Sequence, residues 1–526
     1  MLFNSWVFAI FFAAFLPFFW AVRHHVRARN SVFLVASYIF YGWWNPRFVP
    51  LLAILAAVDY MAALGATRNV VTARDRWKGA LFSVATAGAC APFCGADGPW
   101  LITVVATCIG SVMLASVLIE RAPEDGRPAL WVKLSIFANL GVLGFFKYFN
   151  FFVASTRDAM GLIGWQVDAV TLNIILPVGL SFHVFQGISR TLDCYRGTVR
   201  PEGSLTTVAT YLAFFPQLVA GPIERASHLI PQFEAPRLVT RPMITTGALL
   251  FVWGLFQKIV IADNVAPVAD IAFGNTAALD GSTALAGILA FTVQIYCDFC
   301  GYSNMARGLA RILGFDLMAN FDFPYFSRTP SEFWRRWHIS LSTWLRDYLY
   351  IALGGNRRGP VHTYRNLALT MLLGGLWHGA AWTFVAWGAF HGGILVIYRL
   401  LGIDAALDRL PASSPRGALT HLVAWFVMLV LVMIGWVFFR ATSFADAYNV
   451  LHAAATGAYQ WTGELARVLW YSLPLIVVEC EQRSRGRSEA LAIRPFLLRH
   501  TATVVVVMAI LLLSAPTGHA FIYFDF

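Results

Sequence analysis

The chain has 526 residues, of which 58% are hydrophobic and only 13% are charged. Soluble domains carry roughly 25% charged residues, so this composition excludes a water-soluble globular protein and predicts a polytopic membrane protein. The net charge is +11, but basic residues of membrane proteins collect in cytoplasmic loops. We therefore expect a lipid bilayer around the chain and no nucleic-acid partner.

Apolar runs of membrane-spanning length recur from the first residues onward. The first third is predicted to cross the bilayer at residues 7–22, 31–44, 48–66, 79–92, 100–119 and 134–153. No charged region precedes the first run, which predicts a retained span rather than a leader. Basic loops at 23–29, 68–78 and 120–133 alternate with these spans and are predicted to be cytoplasmic, with the amino terminus outside.

The middle third carries polar residues inside its apolar segments. One predicted helix contains Ser181, His183, Gln186 and Arg190. We expect these side chains to face the bundle interior or a water-filled cavity, and helix–helix hydrogen bonding explains them as well as substrate contact does. Residues 205–225 contain helix-breaking proline and glycine between two cytoplasmic signatures, which indicates a re-entrant segment.

Two further spans are predicted at 243–262 and 284–313. The second carries Asp298, and a carboxylate inside a membrane is costly unless it is paired. Asp298 is therefore a candidate site residue, with a structural ion pair to an arginine as an equally good explanation. Cys297 and Cys300 lie on the same helix without a second Cys or His pair nearby, so we expect no metal site.

Residues 332–348 are basic and aromatic. Trp334, Trp337, Trp344 and Tyr348 recur at helical spacing, which predicts one amphipathic helix in the cytoplasmic interface. Membrane anchoring explains most of these residues. It explains His338 less well, because His338 follows Trp334 by one helical turn and should lie on the apolar face.

Residues 367–400 are predicted to enter the membrane and return, because Arg365 and Arg399 both mark cytoplasmic ends. The break is expected near Gly374–Gly375 and Gly379. His378 would lie about 18 Å past Asn366 in a hydrocarbon layer of roughly 30 Å, near its middle. Such a histidine has lost most of its water, which favours the neutral form that can act as a base. A helix-packing role for His378 stays open on these grounds.

The last third is predicted to cross at 419–439, 465–478 and 496–513, with an amphipathic piece at 443–455. Both termini would then lie outside the cytoplasm. The main alternative function for such a bundle is a transporter or flippase, since buried polar residues and broken helices also line transport paths. The sequence shows no internal repeat in which a second half mirrors the segment around His378, which argues against that alternative.

Five motifs occur in order along the chain. They are Pro-Gln-Leu-Val-Ala-Gly-Pro at 216–222, Tyr-Cys-Asp-Phe-Cys-Gly-Tyr-Ser at 296–303, Glu-Phe-Trp-Arg-Arg-Trp-His at 332–338, Leu-Gly-Gly-Asn-Arg at 353–357 and Leu-Trp-His-Gly at 376–379. The series resembles the membrane-bound O-acyltransferase (MBOAT) family, and more narrowly its bacterial alginate O-acetyltransferase branch.

The resemblance implies an all-α polytopic bundle of about eleven transmembrane helices, with re-entrant and interfacial helices around a central funnel. It implies one integral membrane domain over 1–526, with N-terminal spans at 1–153, a catalytic core at 172–400 and C-terminal spans at 401–526. The protein would lie in the bacterial inner membrane with both termini periplasmic.

The function implied by the resemblance is transfer of an acetyl group from cytoplasmic acetyl-CoA across the membrane to alginate or a similar exopolysaccharide. A periplasmic or membrane-anchored hydrolase-like O-acetyltransferase would complete the transfer. No tightly bound cofactor and no metal are expected. Transfer of D-alanyl or another acyl group to a cell-wall polymer remains an alternative.

The family motifs also imply the site residues. His378 matches the catalytic histidine and His338 the second histidine. Transfer from a thioester needs a base for the hydroxyl proton, which we assign to His378, and His338 would orient the acceptor or pair with the donor. The arginines would meet the CoA phosphates and Asp347 would position an arginine. The predicted donor- or substrate-binding residues are Arg335, Arg336, Trp337, Trp377, Asp347, Asp298 and Asn356.

Overall fold

The computed structural model describes residues 1–165, 171–201, 203–219, 221–486, 496–516 and 518–522. Across these ranges the regular structure is helical and contains no β-strand, as expected where the bilayer offers no partners for backbone groups. Seven helical segments of the described chain are long and apolar enough to cross a membrane, and two shorter apolar helices lie at Trp6–Val22 and Leu497–Leu513. The predicted all-α polytopic class is confirmed. The chain forms two compact units.

The first unit comprises Met1–Met243 and Ala310–Leu317. Its helices are α1 (Trp6–Val22), α2 (Val26–Gly42), α3 (Val49–Arg68), α4 (Ala73–Cys90), α5 (Gly98–Arg121), α6 (Arg127–Leu143), α7 (Phe149–Leu162), α8 (Leu180–Tyr195), α9 (Leu205–Ala213), α10 (Phe215–Leu218) and α11 (Ala226–Glu234). Apart from Asp59 and its last turn, helix α3 is apolar, and it is buried along most of its length, as a helix without a broad polar face must be.

Polar residues tie α3, α6 and α8 together inside this unit. The carboxylate of Asp59 accepts hydrogen bonds from Ser135 Oγ (2.6 Å) and Asn139 Nδ2 (2.8 Å). Arg190 Nη1 donates to the carbonyl oxygen of Asp59 at 3.0 Å. His183, Gln186 and Arg190 are buried and Ser181 is half-buried, so the prediction that these side chains point inward is confirmed for the first three. For Arg190 the role is helix–helix hydrogen bonding.

The segment predicted to be re-entrant is a broken, buried helix pair. Helix α9 ends at Ala213 and the short α10 follows after Phe214. The backbone groups freed by the break are bound by side chains, because Phe215 N donates to Ser37 Oγ and Gln217 Nε2 donates to Tyr211 O. This meets the condition under which irregular backbone is tolerated at membrane depth.

The second unit comprises Ile244–Leu309 and Met318–Phe526. Its helices are α12 (Arg241–Phe256), α13 (Asp263–Gly274), α14 (Gly281–Ile312), α15 (Pro330–Arg336), α16 (Ile339–Trp344), α17 (Pro360–His378), α18 (Trp382–Leu400), α19 (Ile403–Asp408), α20 (Pro415–Arg440), α21 (Phe444–Thr456), α22 (Gly463–Ser484) and α23 (Phe496–Leu513). The hairpin of α17 and α18 carries His378 at its tip.

The continuous amphipathic helix predicted over 332–348 is wrong. Helix α15 ends at Arg336, His338 has a left-handed backbone with φ of 43°, and α16 starts at Ile339. Trp337 is 1% exposed and packs inside the protein. The helix breaks because the segment that contains Asn320 competes for its backbone: Ile339 N donates to Asn320 O at 2.9 Å. The helical spacing of the tryptophans could not predict this hydrogen bond to Asn320.

The break predicted near Gly374–Gly375 and Gly379 lies at Gly379 and not at the glycine pair. Helix α17 runs unbroken through both glycines to His378, and the chain turns at 379–381. Gly375 and Gly388 instead allow α17 and α18 to pack closely. A Cβ on Gly375 would lie 2.3 Å from Phe384 O, and one on Gly388 would lie 2.4 Å from Met371 O. From Pro360 to His378 the helix spans about 27 Å.

We expect Gly375→Ala to destabilise the α17–α18 hairpin by about 1–3 kcal/mol, because the added methyl group meets backbone rather than a movable side chain. Thermal unfolding of detergent-solubilised protein measures this. Gly393→Ala is the matched control on α18, since a Cβ there meets nothing within 4 Å. Equal unfolding temperatures for the two variants would contradict the packing role of Gly375.

Candidate active site

His338 lies at the junction between α15 and α16 and is fully buried. Its left-handed backbone is uncommon for a residue with a side chain and is costly, and such strained residues concentrate at functional sites. The strain is imposed by tertiary contacts on both sides of the junction. Asp322 N donates to Arg336 O, and Ile339 N donates to Asn320 O.

A chain of short polar side chains also holds this junction. Ser340 Oγ donates to Asn320 Oδ1 at 2.6 Å, and Asn320 Nδ2 donates to Ser303 Oγ on α14 at 3.1 Å. Ser340 Oγ lies 3.5 Å from His338 Nδ1. The His338 ring packs edge-on against Phe299, with centroids 4.6 Å apart. The orientation of this imidazole is therefore set by α14.

His378 is the last residue of α17 and is 3% exposed. Aromatic rings surround its imidazole. The ring centroids of Trp377, Trp387 and Phe439 lie 4.8, 5.0 and 5.2 Å from that of His378, all in edge-to-face arrangements. This surrounding excludes water, which suppresses hydrolysis of a reactive acyl group.

Trp377 lies between the two histidines. Its ring centroid is 4.8 Å from that of His378 and 6.2 Å from that of His338. Two motifs that are distant in sequence, 332–338 and 376–379, therefore meet around one indole. A buried neutral imidazole can take a proton from a hydroxyl group, and a second imidazole nearby can orient a reactant.

Comparisons with known proteins identify the family. The model of the membrane-bound O-acyltransferase family matches residues 199–445. The chain is 39% identical to the probable alginate O-acetylase AlgI of Azotobacter vinelandii, over 88% of this chain and 79% of that relative. It is 39% identical to the probable alginate O-acetylase AlgI of Pseudomonas aeruginosa, over 86% of this chain and 74% of the relative. The chain belongs to the membrane-bound O-acyltransferase family.

A further relative widens the range of acceptors found among similar proteins. The chain is 32% identical to the peptidoglycan O-acetyltransferase of Helicobacter pylori, over 86% of this chain and 79% of that relative. The resemblance read from the five motifs is thus confirmed. This MBOAT protein is an O-acyltransferase and a multi-pass membrane protein.

The MBOAT motif at 332–338 also carries a salt-bridge network. Glu332 accepts from the backbone N–H of Arg328 at 2.8 Å, and its carboxylate lies 2.9 Å from Arg336 Nη2. Burial alone would raise the pKa of Glu332, but the Arg328 N–H and the guanidinium groups of Arg336 and Arg328 outweigh it and hold the pKa below its usual value. Arg335 is exposed and precedes the buried His338 by three residues.

We expect Glu332→Gln to destabilise the protein by about 1–3 kcal/mol at neutral pH, because two guanidinium groups lose their carboxylate. The folded-state pKa is depressed, so the contribution of Glu332 is present above its unfolded value of 4.5 and is lost as pH falls through the lower folded value. Unfolding midpoints of wild type and variant measured from pH 7 downward should converge below pH 4.5. A pH-independent difference would contradict the network.

The other predicted binding residues lie further out. Asp347 pairs with the adjacent Arg346 at 2.7 Å on the surface, and its role at the site stays a prediction. Asn356 is exposed in the loop before α17, and the structure does not bring it to His378. Asn366 holds that loop instead, since its Nδ2 donates to Gly355 O at 2.9 Å. Trp337 packs in an aromatic core, 4.8 Å from Trp436.

Asp298 lies in a buried ion cluster. Lys258 Nζ contacts Asp298 Oδ1 and Asp263 Oδ1, each at 2.7 Å, and all three side chains are at most 3% exposed. The other oxygen of Asp298 accepts from Ile522 N at 2.7 Å, and Lys258 also donates to His519 O. Asp298 thus anchors the segment 519–522. An ion pair was expected, but its partner is a lysine rather than an arginine.

Sequence reasoning missed two residues of this region. His391 on α18 is fully buried, and its ring centroid lies 4.8 Å from that of Trp387. Like His378, it precedes glycine within an apolar run, and that shared pattern could have found it. Glu479 on α22 accepts a hydrogen bond from the buried Tyr296. Glu479 is buried, but it directly follows the predicted span 465–478, where a charged residue is expected to face water.

Proposed function

We propose that this MBOAT protein transfers an acetyl group from cytoplasmic acetyl-CoA across the bacterial inner membrane, for O-acetylation of alginate or a similar exopolysaccharide. The observation that carries the proposal is the meeting of His378 and His338 around Trp377 in a water-excluding aromatic setting. The names of the AlgI relatives support acetyl as the cargo and alginate as the acceptor.

In the proposed reaction, His378 takes the proton from the acceptor hydroxyl as its oxygen attacks the thioester carbonyl. The C–S bond then breaks, and the proton passes from His378 to the departing CoA thiolate, so that ester and free CoA thiol result. His338 orients the acceptor or pairs with the donor. The surrounding rings keep out water that would hydrolyse the thioester.

Arg335 and Arg336 are proposed to bind the CoA phosphates. Arg335 is exposed and Arg336 is held by Glu332, and guanidinium groups bind phosphates in the two-pronged geometry that lysine lacks. Both termini are proposed to be periplasmic, which follows from the distribution of basic loops. A periplasmic or membrane-anchored hydrolase-like O-acetyltransferase is the proposed partner that passes the acetyl group to the polymer.

The proposal is tested by reconstituting the full-length protein into liposomes with radiolabelled acetyl-CoA on one side only. We expect release of CoA thiol only when acetyl-CoA is on the side of the bilayer that carries Arg335, and O-acetyl groups on the polymer of cells that carry the wild-type gene. Absence of thiol release from the wild-type protein would overturn the acetyl-CoA donor. An aminoacyl ester on the polymer would instead favour D-alanyl transfer.

A further inference from the structure

Helices α22 and α23 of the second unit border an apolar groove that the proposed reaction does not use. Its volume is about 530 Å³, and α12 closes it with Trp253 and Phe256. The residues of α22 and α23 that line it include Trp470, Leu473, Val477, Ala502, Val505 and Ala509. We call this cavity the α22–α23 groove.

The sequence explains why the two helices leave a gap. Helix α23 contains two alanines, Ala502 and Ala509, and both line the groove. They lie seven residues apart, so they share one face of the helix and leave room at two successive levels. Pro474 lies inside α22 and also lines the groove. Because proline removes a backbone hydrogen bond within a helix, it bends the helix at that point.

Helix α22 has one face in the groove and the other in the protein. Trp470, Leu473 and Val477 recur at helical spacing along the groove and are each more than half exposed. Leu475 and Glu479 on the opposite face are buried. In a membrane protein the exposed apolar face meets acyl chains instead of water. The α22–α23 groove is therefore open to the bilayer.

One end of the groove is basic. Arg485 lines this end and pairs with Glu481 at 2.7 Å. Arg483 is exposed two residues away. Arg499 lies in the first turn of α23, directly after the groove residue Leu498. Three arginines therefore lie near a single carboxylate, and the excess of positive charge favours an anionic group at the end of an otherwise apolar groove.

The length of the groove matches one leaflet of a bilayer. From Trp470 to Arg485 the chain rises about 22 Å in helical geometry. One leaflet measures about 20–22 Å when its headgroup region is included, of which about 15 Å is hydrocarbon. A single lipid would then place its acyl chain along Leu473 and Val477 and its headgroup at Arg485.

We propose that the α22–α23 groove binds one anionic phospholipid, with an acyl chain against α23 and the phosphate at Arg485. The lipid completes the packing of α22. The opposite face of α22 carries Glu479, which accepts a hydrogen bond from the buried Tyr296. Bound lipid therefore stabilises the second unit, and the inference goes beyond the proposed acetyl transfer.

The test offers delipidated full-length protein equal amounts of phosphatidylglycerol and phosphatidylcholine with identical acyl chains. Native mass spectrometry counts the lipids retained. We expect wild type to retain one phosphatidylglycerol, preferred about 5-fold or more, because a basic residue near an anionic headgroup contributes an effect of that order. Arg485→Gln should lower this preference by about 5-fold. Phosphatidylglycerol should also raise the unfolding temperature of wild type.

A variant that fills the groove tests the position of the lipid. Ala509→Phe places a ring in the groove, so it should lose the retained lipid and the rise in unfolding temperature. Val504→Phe is the matched control on α23, because Val504 is 60% exposed and does not line the groove. Ala502→Leu fills the same face of α23 and keeps the test valid if Ala509→Phe does not fold.

Two results would overturn the inference. Equal retention of both lipids by wild type, or unchanged retention of phosphatidylglycerol by the groove-filling variant, would indicate an adventitious lipid only. Unchanged lipid retention with an altered oligomeric state of Ala509→Phe would instead assign the groove to a helix of a second copy. These readouts do not depend on acyl transfer, so failure of the proposed function is distinguishable from failure of this site.

Discussion

His378→Ala should lose acyl transfer by about 10²–10⁴-fold or more while the protein still inserts and folds. General base catalysis contributes an acceleration of that order, and the His378 imidazole is the one that packs edge-on against all of Trp377, Trp387 and Phe439 in the contacts described above. The measurement is the initial rate of CoA thiol release and of ester formation at saturating donor.

A matched variant separates chemistry from packing. His378→Phe keeps a ring within the aromatic surroundings but cannot accept a proton, so it should be as inactive as His378→Ala and more stable than it. His452→Ala, at an exposed histidine, should keep full activity. A folded His378→Ala protein with a normal rate would remove His378 from the reaction.

Lys258→Met should destabilise the second unit by about 3–5 kcal/mol, because two buried carboxylates lose their common cation. The loss should also release the segment 519–522, whose backbone is bound by Lys258 and Asp298. Phe521 of that segment packs 4.7 Å from Tyr302 and 6.0 Å from Phe299, ring to ring. Phe299 contacts His338, so the site should loosen as well.

The thermal unfolding midpoint and limited proteolysis of the solubilised protein measure these effects. Adding Asp298→Asn to Lys258→Met should recover part of the loss, since it removes one of the two unpaired charges. Lys78→Met is the control, because the Lys78 side chain is 42% exposed and exposed pairs contribute little. A Lys258→Met protein as stable as Lys78→Met would rule out the cluster as a stabilising element.

Hydropathy predicted the helical class and most of the spans because the bilayer requires long apolar runs with internally bonded backbone. Polar residues in such runs were correctly predicted to point inward, as for Arg190. His378 was predicted to be a candidate base because it is a histidine in an apolar segment rich in glycine and tryptophan. His338 was predicted to be a site residue from the family motif. The prediction that it lies in one continuous helix was wrong, because α15 ends before it and α16 starts after it.

Local periodicity failed wherever a distant residue competes for the backbone or a small residue lets helices touch. The tryptophan spacing over 332–348 could not show that Asn320 interrupts the helix. From sequence alone, the glycines at 374–375 could mark either a helix break or a close helix contact. The structure shows a close contact, because the carbonyl oxygen of Phe384 packs against Gly375. Lys258 lies within an apolar run, and the sequence around it did not predict its ion pairs with Asp263 and Asp298.

The order of apolar and polar residues by itself determined that this chain is a helical membrane protein and which histidines could act as bases, because both follow from transfer free energies and side-chain chemistry. Only the tertiary structure showed that His338 and His378 both pack against the indole of Trp377. It also showed that Asp298 forms an ion pair with Lys258 and that His391 packs against Trp387. The reason is physical: these contacts join residues from different helices, and their geometry depends on packing that no local pattern records.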